Sequence, residues 1–245
     1  MSDRFFCDTP ITGGSAELTG AEAHHLLHVM RLKVGDAVTL FDGGGAEFHA
    51  RVTRCGRREA ALEVLARHEI DRELPTPLTI AAALPKGDRQ RWMVEKLTEL
   101  GATRLDLIET ERSVARLAGG GIERLRRVVI EACKQCRRNR LMQVSGPTAW
   151  PAYAARQTAA GRFIAHVAEG EPPAAAAFAG AAGMVIAIGP EGGFTSDEHA
   201  RAVESGWATL CLGPRVLRTE TAATAAATLA AATIQSAADG LGTEG

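Results

Sequence analysis

The chain reads as an α/β protein built on a parallel sheet, with a smaller β-rich segment ahead of it. Three observations predict this. From residue 78 onward, short apolar runs alternate with helical stretches five times. Such βα repetition makes a parallel sheet the default. Residues 1 to about 72 instead hold short runs rich in Val, Leu, Phe and Thr with a single helical stretch. Between them stands Leu74-Pro75-Thr76-Pro77, whose two prolines make a stiff, extended connection. The expected division is therefore 1–72 and 73–245.

In the first segment, residues 37–41, 47–53 and 60–65 read as strands. Asp42-Gly43-Gly44-Gly45 separates the first two and is a hairpin turn signal. No helix follows these glycines, so a turn is strongly preferred over a phosphate loop. Residues 21–31 have helical periodicity, and Thr19 with Glu22 three positions on predicts a capping box. Five or six short strands with one helix predict a small barrel. Past the linker, residues 78–84 form the continuous apolar run of a buried parallel strand. Residues 88–100 follow as a helix with Met93, Leu97 and Leu100 on one face, ended by Gly101. Strands are expected at 105–108, 162–167, 184–188 and 208–212. Helices are expected at 122–138, after a second capping box at Thr195 and Glu198, and at 219–238 with Gly240 closing it.

Composition narrows the function. The chain has 245 residues, 46% apolar, with a formal net charge of −1, so no global field draws it to a polyanion. Any nucleic-acid affinity must come from local patches. No run of about eighteen apolar residues occurs and no leader-like N-terminus is seen, so a cytoplasmic protein is expected. Five scattered cysteines argue against a disulfide framework. Cys133 and Cys136 lack a second ligand pair and read as reduced, packed thiols. His24 and His28 share a helix face, but no acidic partner completes a metal motif. No metal is expected.

Two loops carry the chemistry. Ile188-Gly189-Pro190-Glu191-Gly192-Gly193-Phe194 and Leu212-Gly213-Pro214-Arg215-Val216-Leu217-Arg218-Thr219-Glu220-Thr221-Ala222 each follow a strand and lead into a helix. Ligands bind at such carboxyl ends of strands in open α/β sheets. Glycine permits close backbone approach and positive φ, and proline removes a donor. Such loops can lay bare N–H and C=O groups against a flat heterocycle. No G-x-x-x-x-G-K-[ST] motif is present, which argues against a nucleotide hydrolase.

These two loops resemble the SPOUT superfamily of RNA methyltransferases, and within it the RsmE-type enzymes that methylate N3 of a uridine in 16S ribosomal RNA. The resemblance extends to Arg4-Phe5-Phe6, the run from His24 to Asp42, Lys86-Gly87-Asp88-Arg89, the run from Trp92 to Gly101, Glu111-Arg112-Ser113 and Arg138-Asn139-Arg140. Cys136 and Gln90 depart from the family's pattern at positions without chemistry. The resemblance implies a PUA-like RNA-binding barrel over 1–72 and a methyltransferase domain over 73–245, with a C-terminal trefoil knot folding residues from about 184 back through an earlier loop. It implies a homodimer and S-adenosylmethionine as cofactor, held by Ile188, Gly189, Pro190, Glu191, Gly192, Gly193, Leu212, Gly213, Val216, Leu217, Arg218, Thr221 and Ala222.

The target N3–H is a weakly acidic imide between two carbonyls, so it must lose its proton before nitrogen attacks. Arg218 is expected to stabilise charge on a carbonyl oxygen. Glu220 or Glu191 is expected to take the proton or to hold Arg218; the sequence does not rank them. Residues 123–140 carry seven positive charges against two negative. Such a face is either solvated or a phosphate contact. The resemblance favours contact, with Arg137, Arg138, Asn139 and Arg140 first, and Arg4, His25, Arg31, Lys33, Lys86, Arg89 and Arg112 beside them. A non-catalytic RNA binder and a ribose 2′-hydroxyl methyltransferase are the competing functions.

Overall fold

The computed structural model describes residues 3–167, 178 and 181–241. The chain forms two compact units, one of Met1–Glu73 with Cys133–Leu141, the other of Leu74–Ala132 with Met142–Gly245.

The first unit holds a five-stranded sheet in the order β1-β3-β4-β5-β2. Its strands are β1 (Arg4–Phe6), β2 (Ser15–Thr19), β3 (Ala37–Phe41), β4 (Ala46–Cys55) and β5 (Glu59–Glu69). All pairs are antiparallel except β1 with β3. Along β4, Phe48, Ala50 and Val52 point into the core while His49, Arg51 and Thr53 point out. This is the period-two alternation of a sheet with one wet face. The turn at Asp42 forms because its carboxylate accepts from Gly44 N–H and Ile11 N–H, both at 2.9 Å.

The expected helix over 21–31 is shorter and irregular. α1 (Gly20–His24) runs into a π-helical turn at His25–Val29, and Arg31 ends it at φ 56°. The capping box with Thr19 does not form. Glu22 instead accepts from Phe6 N–H at 3.1 Å and from Lys134 Nζ at 2.9 Å. Two partners distant in sequence outcompete the local cap.

Residues 133–141 join this unit through buried polar contacts that the sequence did not foretell. Arg138 pairs with Glu73, and Asn139 accepts from Arg4 and donates to Ile70 C=O. Arg4 also reaches Glu47 at 3.1 Å and lies 4.5 Å from the Phe41 ring centre. Arg72 bonds the same Glu47 and the Arg137 carbonyl.

The second unit is built on a six-stranded sheet, every pair parallel, in the order β11-β9-β10-β6-β7-β8. Its strands are β6 (Leu78–Ala83), β7 (Arg104–Glu109), β8 (Gln143–Ala149), β9 (Gly161–Ala165), β10 (Met184–Ile188) and β11 (Ala208–Leu210). The helices are α2 (Arg89–Glu99), α3 (Gly121–Cys136), α4 (Trp150–Arg156), α5 (Ser196–Glu204) and α6 (Thr219–Leu241). β6 and β10 are buried almost throughout, as their unbroken apolar runs require. The capping box of α5 forms as expected, with Thr195 and Glu198 bonded reciprocally.

β8 and α4 have no counterpart in the sequence reading. β8 contains Gly146-Pro147, and α4 is a two-turn helix whose Trp150 and Tyr153 are buried in the core. β11 stops at Leu210 rather than 212. α6 runs through Gly240 to Leu241 instead of ending at that glycine.

Candidate active site

Three strand ends and two loops build a cleft of about 270 Å³ in the second unit, close to the lower end of small-molecule sites at about 300 Å³. β10 delivers Ile188 and the loop to Phe194. β9 delivers Ala165, His166 and Val167, and β11 delivers Leu210 and the loop through Leu217. All three strands are parallel, so their carboxyl ends open on one edge of the sheet.

Local sequence explains the loop shapes. A Cβ on Gly189 would lie 3.0 Å from the Gly193 carbonyl carbon and 3.1 Å from Phe194 N. The first loop therefore doubles back on its own backbone, closed by Gly193 N–H to Pro190 C=O at 2.8 Å. Gly193 and Gly213 sit at φ 67° and 102°, where other residues are strained. Phe194 anchors the loop by packing 4.8 Å from Trp150. The two loops are tied together where Thr219 Oγ1 donates to Gly189 C=O at 3.2 Å.

Most of the expected cofactor residues come together. Ile188, Gly189, Pro190, Glu191, Gly192, Gly193, Leu212, Gly213, Val216, Leu217 and Ala222 line the cleft. Arg218 and Thr221 do not. Thr219 and Ala222, three apart, share the cleft face of α6 and Thr221 is rotated off it, while Arg218 lies in the loop just ahead of the helix. The sequence reading missed the end of β9. Its signal was available, because every strand of a parallel sheet opens at the same edge. His166 lies there, its ring 4.3 Å from that of His199, whose Nε2 is 2.9 Å from Thr209 Oγ1. Burial, and then His166, hold His199 below the usual imidazole value.

The two carboxylates do not hold Arg218. Both face Arg89 at the start of α2, with Glu191 Oε1 at 3.4 Å and Glu220 Oε1 at 3.8 Å from its Nη1. Glu191 is exposed, whereas Glu220 is only 6% exposed and its Oε2 is enclosed without a hydrogen bond. Arg218 is exposed, and its side chain has no hydrogen bond or ion pair among the described residues.

The expected phosphate contacts divide. Arg138 and Asn139, at 3% and 2% exposure, are buried in the first unit, and Arg4 is bonded to Glu47 and Asn139 there. These three are corrected to structural residues, because their side chains are enclosed and bonded to internal acceptors. His25 is half-buried with its ring against Phe5. Arg112 donates to Gly192 C=O at 2.6 Å and so clamps the first loop. Arg31, Lys33, Lys86, Arg137 and Arg140 are exposed. Among the described residues no group of three or more His, Cys, Asp or Glu is arranged to hold a metal ion.

Comparison with known proteins agrees with this geometry. Residues 72–231 match the model of an RNA methyltransferase domain, and residues 18–65 match an RNA methyltransferase PUA domain. The ribosomal RNA small subunit methyltransferase E of Mycobacterium bovis is 35% identical over 91% of this chain and 88% of its own length. That of Bacillus subtilis is 33% identical over 84% and 85%. A Legionella pneumophila methyltransferase, solved with bound cofactor SAM, superposes with a TM-score of 0.84 at 28% identity, covering 97% of this chain and 98% of that one. A ribosomal RNA small subunit methyltransferase E from Neisseria gonorrhoeae bound to S-adenosyl methionine gives 0.82 at 29%, over 96% and 98%. With a matched catalytic-domain model across more than half its length and relatives of this identity over nearly all of it, the chain belongs to the ribosomal RNA small subunit methyltransferase E family of RNA methyltransferases.

Proposed function

We propose that this protein transfers the methyl group of S-adenosylmethionine to N3 of a uridine in 16S ribosomal RNA. The observation that carries the reading is the cleft made by the Ile188–Gly193 and Leu212–Leu217 loops, in a chain whose solved relatives bind that cofactor. The residues fit such a ligand. Gly189 packs against the loop's own backbone where no side chain fits, so the first loop presents backbone groups, and Ile188, Leu210, Leu212 and Leu217 offer apolar walls to a heterocycle.

When bound, the cofactor supplies a methyl group already activated by its sulfonium. The chain's part is to orient the base, exclude water and move one proton. Arg218, exposed and uncommitted beside the cleft, suits stabilisation of charge on a carbonyl oxygen flanking N3. Glu220 or Glu191 takes the N3 proton. The base must leave its stack to reach them.

Residues 1–72 act as the PUA-like RNA-binding domain and 73–245 as the methyltransferase domain. Arg31, Lys33, Lys86, Arg137 and Arg140 are the exposed cations available to RNA phosphates. The resemblance supports a trefoil knot formed by residues from about 184 onward, a homodimer that completes the site, and action in the cytoplasm; no helix among the described residues is long and apolar enough to cross a membrane. The test is incubation with labelled S-adenosylmethionine and small ribosomal subunits, followed by nucleoside analysis. Label in 3-methyluridine is expected, and label in a 2′-O-methylated nucleoside would overturn the reading.

A further inference from the structure

Glu220 adjoins the cleft-lining Thr219 without itself lining the cleft, and its burial has no evident structural return. It lies in the first turn of α6, 6% exposed, and its Oε2 is enclosed with no hydrogen-bond donor. An enclosed anionic oxygen without a partner costs free energy, and native proteins seldom retain one idly. Among the described residues its one ion-pair partner is Arg89, and that contact is long. Arg89 Nη1 lies 3.8 Å from Glu220 and 3.4 Å from Glu191, beyond the roughly 2.7–2.9 Å of a tight charge-assisted bond. Arg89 itself is 37% exposed at the side chain, so one guanidinium is shared by two carboxylates and held closely by neither.

This arrangement matches the edge of one base. Uracil presents acceptor, donor, acceptor along O2, N3–H and O4. A carboxylate beside a guanidinium presents acceptor and donor in the complementary sense. Cytosine presents a bare N3 lone pair there, which a carboxylate repels. We propose that Glu220 and Arg89 together read this edge, Glu220 taking the N3 proton and Arg89 holding a flanking carbonyl oxygen, so that the pair selects uracil against cytosine. The inference rests on the reading above that uridine N3 is the target. It ranks Glu220 over the exposed Glu191 and gives Arg89 a role distinct from phosphate contact.

The bookkeeping of the step closes. The N3–H bond breaks, its proton passes to Glu220, and its electron pair stays on N3. That pair forms the N–CH3 bond, and the S–C bonding pair of S-adenosylmethionine returns to sulfur. The charged groups in contact with Glu220 are Arg89 from α2 and, through it, Glu191 from the loop after β10.

The experiment is single-turnover methylation of small ribosomal subunits across pH, with calorimetry of cofactor binding and nucleoside analysis of products. Glu220→Gln, close to isosteric, should bind cofactor as the wild type does and react roughly 10²–10⁴-fold more slowly at neutral pH, the usual contribution of a positioned base. Its rate should climb tenfold per pH unit, because solvent must now remove the proton. Arg89→Ala should lower the rate at saturating cofactor, with Lys restoring part of it. At saturating cofactor, Glu191→Gln should keep the shape of the wild-type pH profile, with any loss appearing in cofactor affinity. Should Glu220→Gln fold poorly, Glu220→Asp provides the same comparison with a shorter reach. A wild-type profile in Glu220→Gln, or the loss appearing in Glu191→Gln instead, overturns this inference alone. A wild-type product other than 3-methyluridine overturns the target reading with it.

Discussion

Single residues divide between chemistry and architecture by what their donors already touch. Arg218 is exposed with an uncommitted side chain, so removing it disturbs little of the fold. If it stabilises charge that develops only in the transition state, Arg218→Ala should lower kcat by roughly 10²–10³. Cofactor affinity by calorimetry should hold, and Arg218→Lys should recover only part, because the planar fork is lost. Arg138 is the opposite case. It is 3% exposed and paired with Glu73, so Arg138→Ala strands a carboxylate and should cost about 3–5 kcal/mol in urea unfolding. Arg140, two residues on and exposed, should change stability by less than about 0.5 kcal/mol when cut to Ala. Its loss should instead weaken RNA binding and reduce the salt slope by about 1. Adjacent arginines in one motif thus have separable phenotypes, measured by denaturation and by titration at several salt concentrations.

Elements set the reach of these side chains. The loop after β10 turns back on itself so closely that Gly189 faces its own backbone at 3.0 Å, where neither partner is a flexible side chain that can yield. Gly189→Ala should therefore shift the loop and reduce cofactor affinity by at least about tenfold, equivalent to about 1.4 kcal/mol. Global stability should fall little, since the loop lies at the sheet edge; isothermal calorimetry beside thermal melting separates the two. α6 shows how packing decides the use of a composition. Its alanines at 223, 226, 227 and 230 are fully buried within the chain's own second unit. They are spent on close packing inside the subunit, so a substitution such as Ala226→Arg tests the fold and not a dimer.

At the scale of the whole molecule, association and acid response are the measurable properties. The proposed homodimer must use residues left exposed, and Leu229 on α6 is 48% exposed. Leu229→Arg should convert the dimer to monomer in light scattering and lower methylation, while leaving the unfolding midpoint nearly unchanged. Acid sensitivity follows from Glu47 in the first unit. Burial alone would raise its pKa, but hydrogen bonds from Arg4 and Arg72 outweigh that and hold it below the ordinary carboxylate value. A folded pKa lower than the unfolded one contributes stability that is present at neutral pH and lost as pH falls through the folded value. The loss should therefore set in below the ordinary glutamate value of about 4.3. Glu47→Gln should be less stable at pH 7 and lose less on acidification, as read from urea midpoints between the two conditions.

What the sequence determined by itself was the class of the fold and the two loops that line the cleft. Buried parallel strands announce themselves as unbroken apolar runs, and β6 and β10 were legible for that reason. Glycine and proline act on φ and on backbone approach within a few residues, so both cleft loops were legible too, as was the capping box of α5. The tertiary structure alone decided everything that depends on partners far apart along the chain. β8 and α4 lack a strong period of their own and exist because neighbours in the sheet and core hold them. The Thr19 cap was lost because Glu22 found Phe6 and Lys134. Arg138 and Asn139 looked like phosphate contacts until Glu73, Arg4 and Ile70 took their bonds. The two carboxylates, equivalent in sequence, were separated by burial, which leaves Glu191 in solvent and encloses Glu220 beside Arg89. Local conformation depends on short-range sterics that travel with the residue, whereas burial and ionic pairing depend on which distant residues the fold brings to the same donor.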